Sequence, residues 1–242
     1  SLAVLDSQLQ DFLGQLRDFD ALVLQEQVLS RFLSGCEGRR EGRVDFYFDF
    51  MSPFSYLAFR KLPGICERYG LELRAHVVDL PKLKLLAGNT GPANVTIPIK
   101  IRYLKTDLQR WAERYGVPLS FPASLDTGAL NRAYLHALDQ GKANDFIRET
   151  WDRLWGKGGD PADPALLAEL ASACGWDPQE LADWAASDAA VERLKAETQA
   201  AHDAGVFGVP TMIVDGQMWW GNDRLNFMEE TLKKGIKTTK QL

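Results

Sequence analysis

The run Val44-Asp45-Phe46-Tyr47-Phe48-Asp49-Phe50-Met51-Ser52-Pro53-Phe54-Ser55-Tyr56 constrains this chain more than any other stretch. Its first half has the aromatic, apolar composition of a buried strand. It then breaks at Ser52-Pro53 in the manner of a helix start. A serine hydroxyl at the N-cap accepts from an otherwise unpaired backbone N–H. Proline suits the first helical position because the N–H it lacks has no helical partner there. Such a start carries exposed N–H groups and about half a positive charge, so it can hold an anion, with Ser52 beside it. On these residues alone an ordinary capped junction fits equally well.

Composition bounds what that junction can serve. The chain has 242 residues, 45% of them hydrophobic and 25% charged, which suits one large soluble domain or one domain with a sizeable insertion. A net charge of -5 offers no basic excess for nucleic acid, which is not an expected partner. No apolar run approaches the ~20 residues that span a bilayer, so no membrane association is expected. Residues 1–6 lack the basic start and long apolar core of a signal peptide. Cys36, Cys66 and Cys174 are scattered and odd in number, which disfavours a disulfide framework and suggests a reducing, cytoplasmic setting. His76, His136 and His202 pair with no cysteine at ligand spacing, so no metal site is expected.

Residues 1–43 read as a detachable helical extension that ends in Gly35, Gly38 and Gly42 among arginines. It is either a dimerisation or docking element, or a helix or two folded back on the main domain. The strand at 44–50 leads into a helix from Pro53 to about Tyr69, kinked at Pro63 and stopped by Gly70. Leu71 to Val78 alternates as a second strand, making a right-handed βαβ unit. A short helix follows over Leu80–Leu86, then a turn-rich loop from Gly88 to Asn94. Helices are predicted at 99–115, 128–138, 143–155, 164–174, 178–186 and 189–204, separated by glycines. The apolar run from Gly208 to Val214 then meets Asp215-Gly216, a strong hairpin signal, before Gln217-Met218-Trp219-Trp220. A last helix opens at Asn222 and reaches about Lys234, followed by a lysine-bearing tail.

The order βαβ, helices, ββα predicts an α/β thioredoxin-like fold with a large all-helical insertion. The corresponding domains are an extension at 1–43, a thioredoxin-like domain at 44–86 plus 205–242, and an insertion at 87–204. In that plan a proline opens the third strand with a cis peptide bond, a minority state for such bonds. Val209-Pro210 stands at that position.

Five motifs occur in order: Phe48 to Tyr56, Gly88-Asn89-Thr90-Gly91-Pro92, Asp107 to Trp111, Phe207-Gly208-Val209-Pro210-Thr211 and Gly221-Asn222-Asp223-Arg224-Leu225. Together they resemble the 2-hydroxychromene-2-carboxylate isomerases, glutathione-dependent enzymes of bacterial naphthalene breakdown that are close to kappa-class glutathione transferases and share the fold of DsbA-type oxidoreductases. The resemblance runs from about Val44 to Leu232 and leaves out the first 43 residues. It places Ser52 and Ser55 where disulfide enzymes carry the Cys-x-x-Cys pair, which excludes a dithiol couple there. A hydroxyl can still donate to a bound thiolate, and a helix start favours that anion. Ser52 is therefore the expected catalytic residue, holding the sulfur of reduced glutathione; it has no evident partner base for direct attack.

The same resemblance implies further glutathione contacts. Val209 pairs with the cysteinyl backbone, while Gly221, Asn222, Asp223 and Arg224 hold the γ-glutamyl end. Asn89 and Lys100 hold the glycyl end and line the site. Taken alone, Asp223 reads as a helix cap, Lys100 as a surface lysine and Arg224 as structural. For the aromatic carboxylic acid substrate the family pattern points to Lys84 and Asn94. Phe54, Tyr56 and Trp111 are candidates to wall its ring, although aromatics at such positions more often belong to a core. Trp219 and Trp220 should face opposite sides of the sheet.

The reading is a glutathione-dependent isomerase of an aromatic acid, cytoplasmic and, by the family's habit, a homodimer. Two rivals remain: a kappa-like transferase conjugating electrophiles, and a non-catalytic glutathione- or peptide-binding module.

Overall fold

The computed structural model describes residues 42–92 and 96–235. Residues 1–41 of the predicted N-terminal extension, Asn94 and the lysines of the tail lie outside the described residues, while Arg43, placed in that extension, opens the first strand. The chain forms β1 (Arg43–Phe48), α1 (Pro53–Phe59), α2 (Leu62–Tyr69), β2 (Glu72–Val77) and α3 (Leu80–Leu86). Helices α4 (Pro98–Tyr115), α5 (Gly128–Asp139), α6 (Ala143–Trp151), α7 (Pro164–Ala173), α8 (Pro178–Ala186) and α9 (Asp188–Asp203) follow. The chain closes with β3 (Thr211–Val214), β4 (Gln217–Trp220) and α10 (Leu225–Lys233). The fold is thioredoxin-like with a helical insertion.

The four strands lie in the order β2-β1-β3-β4. β1 and β2 run parallel, as a βαβ unit demands, while β3 runs antiparallel to both β1 and β4. Alternation along β1 buries Val44, Phe46 and Phe48 on one face. Phe46 stacks on Phe48 at 5.6 Å, and Phe48 continues edge-on to Tyr134 of α5 at 5.1 Å. One aromatic core thus joins the sheet to the insertion. The opposite face packs Tyr47, Val209, Ile213 and Met218 with Val78, Leu83, Ala201 and Val206.

Several boundaries differ from the sequence reading. The single helix expected from Pro53 to Tyr69 is two, broken at Arg60-Lys61. Pro63 has no N–H to give to Phe59 and its ring crowds that carbonyl, so the second helix restarts with proline in its first turn. The helix expected to Trp155 changes at Asp152 into a π-helical turn over Asp152–Gly156. β3 begins at Thr211 rather than at Gly208. The last helix is preceded by a 3₁₀ turn over Asn222–Arg224. The hairpin turn is as expected, with Asp215 at φ 48° and Gly216 at φ 77°, the left-handed pair that such a turn requires. The Val209–Pro210 peptide is cis.

Candidate active site

Strand pairing alone gathers the site. Phe48 ends β1 beside Val77, which ends β2; Tyr47 faces Thr211, the first residue of β3; and Thr211 faces Trp220, the last of β4. The loop 49–52, the junction 78–80, the cis-proline segment 208–210 and the turn 221–224 therefore emerge at one end of the sheet. Gly221 bridges two of them by donating its N–H to the Pro210 carbonyl at 2.9 Å. Helix α1 packs against both the 222–224 turn and α4.

Ser52 caps α1, accepting the Ser55 N–H at 3.2 Å, and is only 6% exposed. Its own proton is not spent on any protein group among the described residues, so the hydroxyl keeps a donor for a ligand. Ser55 is fully buried, and its Oγ has no partner among the described residues. With serine at both positions, no dithiol couple exists here. The described thiols lie elsewhere: burial pushes Cys66 up to about 12 and raises Cys174, the opposite of a reactive cysteine.

The 221–224 turn holds the site's most informative side chain. Asn222 is 2% exposed, yet neither its Oδ1 nor its Nδ2 has a hydrogen-bond partner among the described residues. The Tyr115 phenol is its neighbour. Burial raises that phenol's pKa, and the nearby Asn222 amide draws it partly back. Asp223 and Arg224 are exposed and paired at 3.0 Å. Gly221 sits at φ 109°, a backbone conformation that favours glycine.

The other predicted residues are placed less uniformly. Val209, in the cis-proline segment, is half-buried against Leu83 and Val206. Lys84 is half-buried in the last turn of α3, and its carbonyl accepts the Asn89 N–H at 2.9 Å. Lys100 is exposed in the first turn of α4, about 22 Å along the helix axis from Tyr115. Phe54 and Trp111 are half-buried against the main core. Tyr56 corrects the expectation of a ring wall. It has no exposed surface and its hydroxyl donates to the Pro118 carbonyl at 2.6 Å, so it is a core residue. Trp219 packs on the main core, while Trp220 is 53% exposed and meets Phe207 edge-on at 5.0 Å.

Sequence reasoning missed Asp49. Its side chain is 1% exposed and accepts from the Met51 N–H at 2.9 Å, Thr127 Oγ1 at 2.8 Å, Asn131 Nδ2 at 2.9 Å and the Leu80 N–H at 2.9 Å. Burial raises its pKa, and these donors pull it partly back. Trp155, on the π-helical turn, adds a bond from its indole N–H to the Phe50 carbonyl at 2.8 Å. A carboxylate inside an aromatic run was the available signal, since such a charge demands partners.

Fold and site together define a thioredoxin-like cleft whose helix start carries hydroxyls in place of thiols. The family described as the DsbA-like thioredoxin domain matches residues 43–233. A 2-hydroxychromene-2-carboxylate isomerase from Sphingobium xenophagum is 46% identical over 190 residues, 78% of this chain and 97% of its own. A solved structure of a 2-hydroxychromene-2-carboxylate isomerase matches with a TM-score of 0.75 at 41% identity, over 79% of this chain and 94% of that one. Glutathione S-transferase kappa 1 of Homo sapiens is 26% identical over 205 residues, 78% of this chain and 90% of its own. The chain belongs to the DsbA-like family and, within it, to the 2-hydroxychromene-2-carboxylate isomerases, and it is an enzyme of that kind.

Proposed function

We propose that this enzyme interconverts 2-hydroxychromene-2-carboxylate and trans-o-hydroxybenzylidenepyruvate, with reduced glutathione as a cofactor that is not consumed. The observation that carries the cofactor is Asn222, a buried amide whose donor and acceptor find no hydrogen-bond partner among the described residues, at the end of the sheet where Ser52 caps α1. Leaving such a group unpaired costs about 1–3 kcal/mol, and a ligand with carboxylate and ammonium groups would satisfy both of its atoms. The kappa-class relative supports the same chemistry.

Within this reading Asn222, Asp223 and the backbone of Gly221 hold the γ-glutamyl end, with Arg224 beside them. Val209 pairs with the cysteinyl backbone, and Asn89 and Lys100 take the glycyl end. When bound, glutathione supplies a sulfur nucleophile whose reversible addition frees rotation about the substrate's double bond. The Ser52 hydroxyl donates a hydrogen bond to the sulfur anion and so stabilises it. Lys84 and Asn94 meet the substrate carboxylate, with Phe54 and Trp111 beside its ring. We place the enzyme in cytoplasmic aromatic-hydrocarbon catabolism as a homodimer, which a solution mass measurement checks.

The test is an ultraviolet assay of 2-hydroxychromene-2-carboxylate with and without reduced glutathione, and with S-methylglutathione as control. Conversion that needs the free thiol without consuming it is the expected result. No conversion, with glutathione bound, overturns the isomerase reading. Net loss of thiol with substrate instead gives the kappa-like transferase.

A further inference from the structure

Asp49 occupies a point where three helix starts converge. It lies three residues before Ser52, the cap of α1, and its carbonyl accepts the Ser52 N–H at 3.0 Å. One carboxylate oxygen takes the N–H of Leu80, the first residue of α3. The other takes the hydroxyl of Thr127, the N-cap residue of α5. Thr127 makes no side-chain cap to its own helix; its hydroxyl goes to Asp49 instead. Asn131, one turn into α5, doubles the link by donating Nδ2 to Asp49 and accepting the Phe50 N–H through Oδ1 at 3.2 Å. Every group bonded to the carboxylate is a donor and none titrates, an arrangement that matches an anion held at helix N-termini.

The inference depends on the reading of Ser52 given above, and it concerns how that serine is aimed. We propose that Asp49 is a positioning residue: its carboxylate locks the loop 49–52 to α3 and to α5 of the insertion, and so fixes the Ser52 hydroxyl on the thiolate. The helical insertion then acts in catalysis through Thr127 and Asn131. A displacement of about 1 Å at such a seat costs up to ~100-fold in rate.

Asp49→Asn sets an amide N–H against the Leu80 N–H and can fail to fold, so the decisive variant is Thr127→Val. It keeps side-chain shape and removes one donor from Asp49. The measurements on the full chain are kcat and KM for glutathione across pH, and the pKa of the bound thiol from the ultraviolet absorbance of its thiolate. Expected are a kcat roughly ten-fold lower at neutral pH, a higher bound-thiol pKa and a pH–rate profile displaced upward with it. KM for glutathione should stay within about two-fold, and Thr127→Ser should restore the wild-type profile. A lower melting temperature with bound-thiol pKa and pH profile unmoved overturns the proposal, because Thr127 is then merely structural. A wild-type enzyme showing no bound thiolate at all is a different result. It removes the Ser52 reading itself, and this inference with it.

Discussion

Two turns leave the same end of the sheet and treat their polar atoms in opposite ways. Around Asp49 both carboxylate oxygens are bonded, Phe50 is held at its N–H and at its carbonyl, and the Ser52 N–H is taken. Around Asn222 an equally buried amide finds no hydrogen-bond partner among the described residues. A saturated polar network fixes a geometry, whereas an unsatisfied buried group costs stability until something binds it. The first turn is completed by the protein and, in the reading proposed above, aims the chemistry. The second is the one a ligand would complete, recovering on binding what the buried amide loses without a partner.

The comparison breaks most sharply at Ser52. On the proposed role, Ser52→Ala removes the donor to the sulfur, and kcat/KM should fall by about 100-fold, the loss typical of one donor to a developing anion. Because Ser52 also caps α1, about 1 kcal/mol of stability should go with it. Stopped assays on the variant, with circular dichroism to confirm its fold, decide the matter. Near-normal turnover would sink the thiolate role.

Asn222→Leu tests the other turn. An apolar side chain of similar size removes the unpaired amide, so the melting temperature should hold or rise while KM for glutathione climbs about ten-fold. A clear loss of stability would make Asn222 an ordinary structural residue, and the contrast between the turns would disappear.

What the sequence discloses about these turns follows the range of the forces involved. Ser52-Pro53 as a cap and Asp215-Gly216 as a hairpin are decided by neighbouring residues, so both are readable from a few letters. The order of elements likewise suffices for the sheet, and with the sheet comes the meeting of residues 49–52, 209 and 221–224. Asp49 was opaque for the opposite reason: Thr127 and Asn131 lie 78 and 82 positions away. Their four-residue spacing puts them on one helix face, but nothing local says what that face meets. The kink at Pro63 was legible for the local reason, because the missing N–H belongs to that one residue, whereas the π-helical turn at Asp152 carries no such local mark.

Asp49 also makes the comparison visible in pH. Its folded pKa is raised by burial, so the native state holds that proton more tightly than the unfolded chain. Its contribution is complete below the ordinary carboxylate range and is lost as pH rises through the folded value. An ionised carboxylate at this position would thus be held at a cost in stability, a pattern expected where geometry serves function. Denaturant unfolding across acidic pH should show this decline in the wild type and a flatter profile in Asp49→Asn, provided that variant folds. Equal profiles would mean that Asp49 ionises as it does in the unfolded chain.

The smallest effect belongs to Tyr56, one helical turn beyond Ser52 and on the buried side of α1. Its ring packs near Trp151 at 5.9 Å and its hydroxyl bonds the Pro118 carbonyl, so the residue serves neither turn. Tyr56→Phe should cost about 1 kcal/mol, the net worth of one hydrogen bond, and leave kcat and both KM values within about two-fold of wild type. Parallel unfolding and kinetic measurements separate the alternatives. A selective rise in KM for the aromatic acid would return Tyr56 to the pocket wall. It would also show that α1 turns a second face to the substrate, which its burial and hydrogen bonding argue against.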